Sequence, residues 1–389
     1  MSKKLTMLGV GDIIPNLPDP NDTFKRVKDM ITAADISFGQ FEEVLVPEEH
    51  TELLDIVNCS SRGICVGKPK AAQATKNAGF DVVSAASNHS LDCGRLAFLG
   101  TLKYLRDAGL AVVGGGANEE EAHEFAVLER DGVKVAFLAY CSILPYGTWV
   151  QETRPGVNPA RAYTYYEQVE IDQPGTRCRI HSYPNRYDLN NMINDIKRAK
   201  EVADIVVVSM HWGLHFVEAE LADYQKDYAY AAIDAGADII LGHHAHILKG
   251  IEVYKGKAIF YSLGNFGITG RTFAEEDDQR GLTVYGARQE KTKSHAEIAA
   301  IRKGFGEGGR NFPEDCYKTF IAKMEIEDKK ISKVSFIPAF IPLDGSVYAL
   351  KPDDPMFAEN VEYVRKITAE ANLNTTYTVD GDEVIVDIK

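Results

Sequence analysis

Two apolar runs that each end in histidine constrain this chain more than any other feature. Residues 205–210 read I-V-V-V-S-M and lead into His211-Trp212-Gly213, while residues 239–241 read I-I-L and lead through Gly242 into His243-His244-Ala245-His246. Short apolar runs closed by turn residues read as buried strands of an α/β sheet. Side chains just past the carboxyl ends of such strands face the crevice where these sheets hold ligands. Five of the ten histidines, His211, His215, His243, His244 and His246, fall between residues 203 and 266. Packing alone explains such a cluster poorly, so chemistry is expected there.

The rest of the chain follows the same grammar. Residues 5–10, 35–41, 80–86 and 110–113 read as further strands. Between and after them, 24–33, 70–78, 96–108, 189–202 and 355–371 have helical spacing, the first with Asn21 or Asp22 as a cap and two others stopping at Gly79 and Gly109. Asp131-Gly132, Lys255-Gly256, Asp328-Lys329-Lys330 and Asp380-Gly381 mark hairpins. Strand–helix alternation first and hairpins later predict an α/β core whose sheets include antiparallel strands. Two polar stretches, 142–188 and 267–313, read as excursions from it. Residues 1–345 are expected to form one domain, with 346–389 as a helix and hairpin packed on its core.

Composition narrows the class. The net charge of −14 disfavours a broad nucleic-acid or anionic-membrane surface. The six cysteines are scattered without a C-x-x-C pair, which fits free thiols in a reducing cytosol. No run approaches the roughly 18 apolar residues of a membrane span, and no signal-like segment follows the first lysines. A cytoplasmic protein is expected, with its oligomeric state open.

The polar residues that follow the apolar runs are Asp12, Glu42, Asn88 with His89, His211, and His244 with His246. Oxygen and nitrogen donors from five strand ends suit a pair of divalent ions such as zinc, manganese, iron or cobalt. Glu42 is placed to bridge two ions. His244 and His246, two apart, point the same way if the segment is extended. His89 directly follows Asn88 and so suits a different task, protonating a leaving group, with Asp92 orienting its ring. Singly, each piece has a plainer explanation: a turn at Gly11-Asp12, a helix cap at Asn88, a core histidine at 211. The joint pattern is the specific signal.

With Gly11-Asp12, the F-G-Q-F-E of residues 38–42, S-N-H-S-L-D at 87–92, H-W-G at 211–213, G-H-H-A-H at 242–246 and Y-S-L-G-N-F at 261–266, the chain resembles the CapA-type poly-γ-glutamate capsule synthesis proteins. That family is similar to the calcineurin-like metallophosphoesterases. The resemblance covers about residues 5–345. It implies a four-layer α/β/β/α sandwich with a binuclear metal centre. It also implies one ion on Asp12, Glu42 and His246, a second on Glu42, Asn88, His211 and His244, His89 as general acid, and a bridging hydroxide as nucleophile. Two positions depart from the related phosphoesterases. Ile14 stands where their G-D-x-H has histidine, a departure the CapA type shares. His215 stands where H-W-G-x-E has the acid, as a replacement ligand, a second acid or a substrate contact. Gln40 is expected to orient Glu42.

The substrate expectation is a small anionic molecule, a phosphoester or an amide, including a γ-glutamyl type of substrate. Arg154, Arg161 and Lys68 are candidates to hold its charge. Tyr163, Tyr165, Tyr166 and Trp149 are candidates to line a pocket mouth, with the 142–188 excursion as specificity element. A role in poly-γ-glutamate synthesis, and a non-catalytic binding protein with a degraded site, are the competing readings.

Overall fold

A computed structural model describes residues 4–47, 65–173, 175–268 and 312–388. The expected excursion at 267–313 lies outside them, apart from its ends. Two large sheets carry the fold. In the first, Leu5–Ile13, Ile36–Phe41, Val82–Ser84 and Ala111–Val113 run parallel. The sheet continues antiparallel from Leu5–Ile13 through Lys318–Glu327, Lys330–Phe340, Glu383–Val386 and Tyr377–Asp380. In the second, Val133–Cys141, Ile205–His211, Ile239–His243 and Lys257–Phe260 run parallel, with antiparallel edges at Ala126–Arg130 and Ile251–Tyr254.

The period of two along each strand sorts residues between layers. Leu5, Met7, Ile36 and Phe38 of the first sheet meet Val135, Phe137, Ile205, Val207 and Leu241 of the second in one core. Phe38 stacks on Phe137 across the gap, ring centroids 5.7 Å apart. Fully burying a ring of this kind contributes about 1.5–3 kcal/mol. The alternate residues face outward. Leu8, Val10 and Val83 pack on Ile31, Ala71, Ala72 and Leu105 of the helices Lys28–Ala33, Lys70–Asn77 and Gly94–Asp107. Val206, Val208 and Ile240 pack on Met192 and Ile196 of Arg186–Val202 and on Tyr228 and Ala232 of Asp223–Ala235. Helix, sheet, sheet, helix is the expected four-layer α/β/β/α sandwich. The late helix Pro355–Glu370, capped by Asp354, sends Phe357, Val361, Val364 and Ile367 into the inter-sheet core.

Three local expectations change. The helix expected at 24–33 is a 3₁₀ turn, Pro20–Thr23, capped by Asp19 rather than Asn21 or Asp22, followed by the shorter Lys28–Ala33. The 142–188 stretch contains an ordered hairpin, Ala162–Gln168 with Cys178–Pro184. The helix expected from 189 starts at Arg186, where the Asn185 side chain accepts bonds from the backbone of Tyr187 and Asp188. Among the described residues, no helix is long and apolar enough to cross a membrane.

Candidate metal centre

Strands running parallel bring their carboxyl ends to one rim, and the chemistry collects there. Asp12 lies at the end of Leu5–Ile13, just after a bulge in its pairing with Ile36–Phe41. Glu42 directly follows Ile36–Phe41, and His211 and His243 close their own strands. The 264–266 segment clamps Asp12, whose N–H donates to the Gly264 carbonyl at 3.0 Å and whose carbonyl accepts from Phe266 N–H at 2.7 Å. That close approach explains the glycine before the aspartate: a Cβ on Gly11 would stand 1.9 Å from the Gly264 oxygen.

Glu42, His211 and His244 form one group of convergent donors, and Asp12, Glu42 and His246 a second, with donor atoms within 4.8 Å of one another in each. Glu42 belongs to both. His211 Nε2 lies 2.6 Å from Asn88 Oδ1 and 3.4 Å from Glu42 Oε1. His246 Nδ1 donates to Asn265 Oδ1 at 2.7 Å, and the Asn265 amide donates onward to the Cys316 carbonyl at 3.0 Å. This relay fixes the tautomer and leaves Nε2, 3.8 Å from Glu42 Oε1, as the lone-pair nitrogen. The His244 N–H donates to Asp12 Oδ2 at 3.1 Å. His244 and His246 do not sit in an extended segment. Their φ angles are 84° and 55°, so left-handed turns rather than strand alternation aim the two rings.

The electrostatics match an acceptor for cations. Burial drives the His211 pKa down to about 3 and pushes His244 and His246 below the usual imidazole range. All three rings are therefore neutral near pH 7, as metal ligation requires. Burial pushes Glu42 well above the carboxylate range, with the charges of Asp12 and Asp92 adding to it. Burial also presses Asp12 upward, but His243, His211 and His246 outweigh it and hold Asp12 low. Asp12 Oδ1, both Glu42 oxygens, His211 Nδ1 and His244 Nδ1 are buried without a hydrogen-bond partner. Buried polar atoms left in this state are costly, and a divalent ion among them would satisfy them together.

His89 lies beside this set, its Nδ1 2.7 Å from Asp92 Oδ2. His215 reaches both terminal histidines, its ring centroid 4.9 Å from those of His244 and His246. Ile14 is buried in an apolar cluster with Phe24, Phe41 and Phe266. Gln40 donates to the Ala86 carbonyl at 3.2 Å and to the Phe41 carbonyl at 3.4 Å, so it ties the loop bearing Asn88 to the strand end just before Glu42.

The substrate candidates are more dispersed. Arg161 clamps Asp188 through Nε and Nη2, both at 2.7 Å, and lies over the Trp149 ring. Its fork is engaged with the helix Arg186–Val202. Tyr163 accepts from Asn185 at 2.7 Å, and it, Tyr165 and Tyr166 project from the hairpin into solvent. Lys68 is exposed just ahead of Lys70–Asn77. Arg154 is exposed and close to Arg95, whose pKa falls through burial and through the Arg154 charge. Arg95 donates to the Pro155 carbonyl at 3.1 Å, holding this loop against the start of the helix that follows Asp92.

Sequence reasoning missed several residues here. His243, given no role, stands with Nδ1 3.5 Å from Asp12 Oδ1. Asn265 was legible only as part of a motif. Glu43 is buried with both oxygens unpartnered, and burial pushes its pKa up to about 8. Cys65 joins His89 and Asp92 in a third group of convergent donors. No local pattern announces these contacts, since each depends on segments far apart in the chain.

Known proteins place the chain. It is 30% identical to the capsule biosynthesis protein CapA of Bacillus anthracis over 274 residues, 68% of this chain and 60% of the relative. It is 32% identical to the PGA biosynthesis protein CapA of Bacillus subtilis over 245 residues, 62% of this chain and 56% of the relative. The chain thus spans well under two thirds of these curated relatives. Among solved structures it overlays on the calcineurin-like phosphoesterase YfkN of Bacillus subtilis with a TM-score of 0.43 and 13% identity, over 96% of this chain and 97% of that one. The model of the bacterial capsule synthesis protein PGA_cap family matches residues 6–269, and the chain belongs to that family.

Proposed function

We propose that the rim is a two-metal hydrolytic centre acting on a small anionic substrate. Glu42 carries this reading: both of its oxygens are buried without a hydrogen-bond partner, and it is the one residue shared by the two donor groups built on histidine and Asp12. Asp12, Glu42 and His246 would hold one ion, and Glu42, Asn88, His211 and His244 the other. The donors are oxygen and imidazole nitrogen, which suits manganese, zinc, iron or cobalt. Two such ions lower the pKa of water and polarise the bond under attack.

The chain's own groups supply the rest. Asp92 fixes the His89 ring through Nδ1, which leaves Nε2 as the nitrogen that hands a proton to the departing group. His243 stands behind Asp12 and supports it where Ile14 supplies no donor. His215 lies across His244 and His246, where it can contact a bound substrate. Arg154, beside Arg95, is the substrate-binding candidate with its charge least engaged, and it can attract an anion to that side.

A second reading has its own support, the names of the two Bacillus relatives. On it, the centre works on the γ-glutamyl polymer during capsule assembly. One experiment separates the readings: a panel of phosphomonoesters, phosphodiesters and γ-glutamyl peptides, assayed with manganese and with zinc, with His244→Ala as control. Phosphoester turnover lost in His244→Ala supports the hydrolase. Turnover confined to γ-glutamyl bonds and lost in His244→Ala keeps the hydrolytic centre and favours the γ-glutamyl polymer as its substrate. Activity that survives His244→Ala refutes the placement of the centre.

A further inference from the structure

Cys65 brings to His89 and Asp92 a sulfur donor that the oxygen and nitrogen set beside them lacks. Cys65 opens the chain into the short strand Val66–Gly67, while His89 and Asp92 sit in the turn before Gly94–Asp107. The thiol sulfur, an imidazole nitrogen and a carboxylate oxygen lie within 4.8 Å of one another. We infer that these three side chains form a separate site for a soft or borderline divalent cation, zinc above all, and that filling it turns the adjacent centre off.

The geometry is preorganised. Asp92 Oδ2 accepts both the Cys65 N–H at 2.8 Å and the His89 ring at 2.7 Å, so one carboxylate holds the other two donors in place. Cys65 and His89 are 4% and 1% exposed, whereas the Asp92 side chain is 15% exposed and opens the cluster to solvent. Zinc bonded to sulfur at about 2.3 Å and to nitrogen at about 2.0 Å spaces tetrahedral donors roughly 3.5 Å apart. Bringing the sulfur in from 4.8 Å or less, and opening the 2.7 Å His89–Asp92 contact where those atoms ligate, takes movements of about 1 Å, within reach of rotamer adjustment. Three protein donors leave the fourth position to water.

Donor type sets selectivity. A thiolate favours zinc, cadmium or cobalt over manganese or magnesium, whereas the Asp12, Glu42, Asn88 and histidine set accepts any of the borderline ions. Binding releases one proton, from the Cys65 thiol to solvent, as the sulfur–metal bond forms. The consequence for catalysis rests on the proposed function. An imidazole bonded to a metal through either nitrogen no longer cycles its proton, so His89 stops serving as an acid. Manganese would then support turnover at every concentration, and zinc would support it only up to two equivalents.

The test is a cobalt titration of the metal-free protein, read by the near-ultraviolet thiolate-to-cobalt charge-transfer band. The band should appear in the wild type, disappear on adding zinc, and be missing in Cys65→Ser, with one fewer equivalent bound. Circular dichroism confirms that the variant is folded, and the wild-type spectrum alone decides if it is not. No band in the wild type, or a band that survives in folded Cys65→Ser, overturns the inference. A wild type that takes up only one equivalent, dependent on Cys65, would uphold this site and refute the two-metal reading instead. With turnover in hand, a third zinc equivalent should lower kcat about a hundredfold or more in the wild type. In Cys65→Ser the third equivalent should leave the rate where the second left it, and equal inhibition in both proteins would contradict the switch.

Discussion

Glu42→Gln should change the protein in opposite directions with and without metal. In the metal-free chain Glu42 is fully buried, unpartnered, and pushed well above the carboxylate range by burial and by neighbouring negative charge. A carboxyl whose folded pKa is raised stabilises the fold fully below its unfolded value of 4.5, and that stability is lost as pH rises through the folded pKa. Glutamine has nearly the same shape and does not titrate. The metal-free variant should therefore be the more stable protein above the Glu42 folded pKa, by something on the order of 1–3 kcal/mol, because the amide stays neutral where the wild type must bury a charge beside Asp12 and Asp92. At roughly 2 cal/mol/K per residue over 389 residues, the unfolding entropy is about 0.8 kcal/mol/K. The gain is then a Tm rise of about 1–4 °C. With metal the sign reverses, because each tenfold loss of affinity removes about 1.4 kcal/mol of ligand-linked stability. Differential scanning calorimetry at several pH values, in chelator and in manganese, reads both arms. A metal-free Glu42→Gln less stable than wild type at every pH would show that Glu42 is a structural carboxylate and not a waiting ligand.

Other perturbations test separate links. Asn265→Ala frees the His246 ring from the relay that sets its tautomer, and manganese affinity should fall about 10- to 100-fold in competition with a chromophoric chelator; unchanged affinity would show that the relay is incidental. Gly11→Ala places a methyl against the Gly264 oxygen and should cost at least about 1–3 kcal/mol in urea unfolding, whereas a neutral result would contradict the close approach. Lys249 is buried against the Val217 and Glu220 carbonyls, and burial lowers its pKa to about 8. Its depressed pKa means that stability is lost as pH falls from the unfolded value of 10.5 to about 8. Lys249→Met should flatten the pH dependence of stability in that window relative to wild type, and parallel curves for the two proteins would refute the assignment.

The parts of the fold visible in the sequence are those where burial is one-sided or total. Ile205–His211 is buried throughout and reads as a continuous apolar run, and Asp131-Gly132 and Lys255-Gly256 turn hairpins where they were expected. The hairpin Ala162–Gln168 with Cys178–Pro184 was hidden for the converse reason. Most of its residues are exposed, so nothing forces apolar and polar residues to alternate. In the centre, strand ends made Asp12, Glu42, His211, His244 and His246 legible by residue type and position. The backbone that aims them was not: His244 and His246 adopt positive φ, a conformation histidine does not advertise. Contacts between segments apart in the chain, Asn265 with His246, His243 with Asp12 and Cys65 with Asp92, become visible only in the folded protein.

The central claim is that the buried rim holds two metal ions through Glu42. Metal content decides it most directly. The chain is loaded with manganese, which the thiol-bearing cluster does not favour, freed of excess ion, and analysed by inductively coupled plasma mass spectrometry beside an Asp12→Ala/His244→Ala variant. The account predicts about two manganese per chain in the wild type and a large loss in the variant. A wild type that retains no manganese and takes up none on titration, or a variant that binds as much as the wild type, would contradict it.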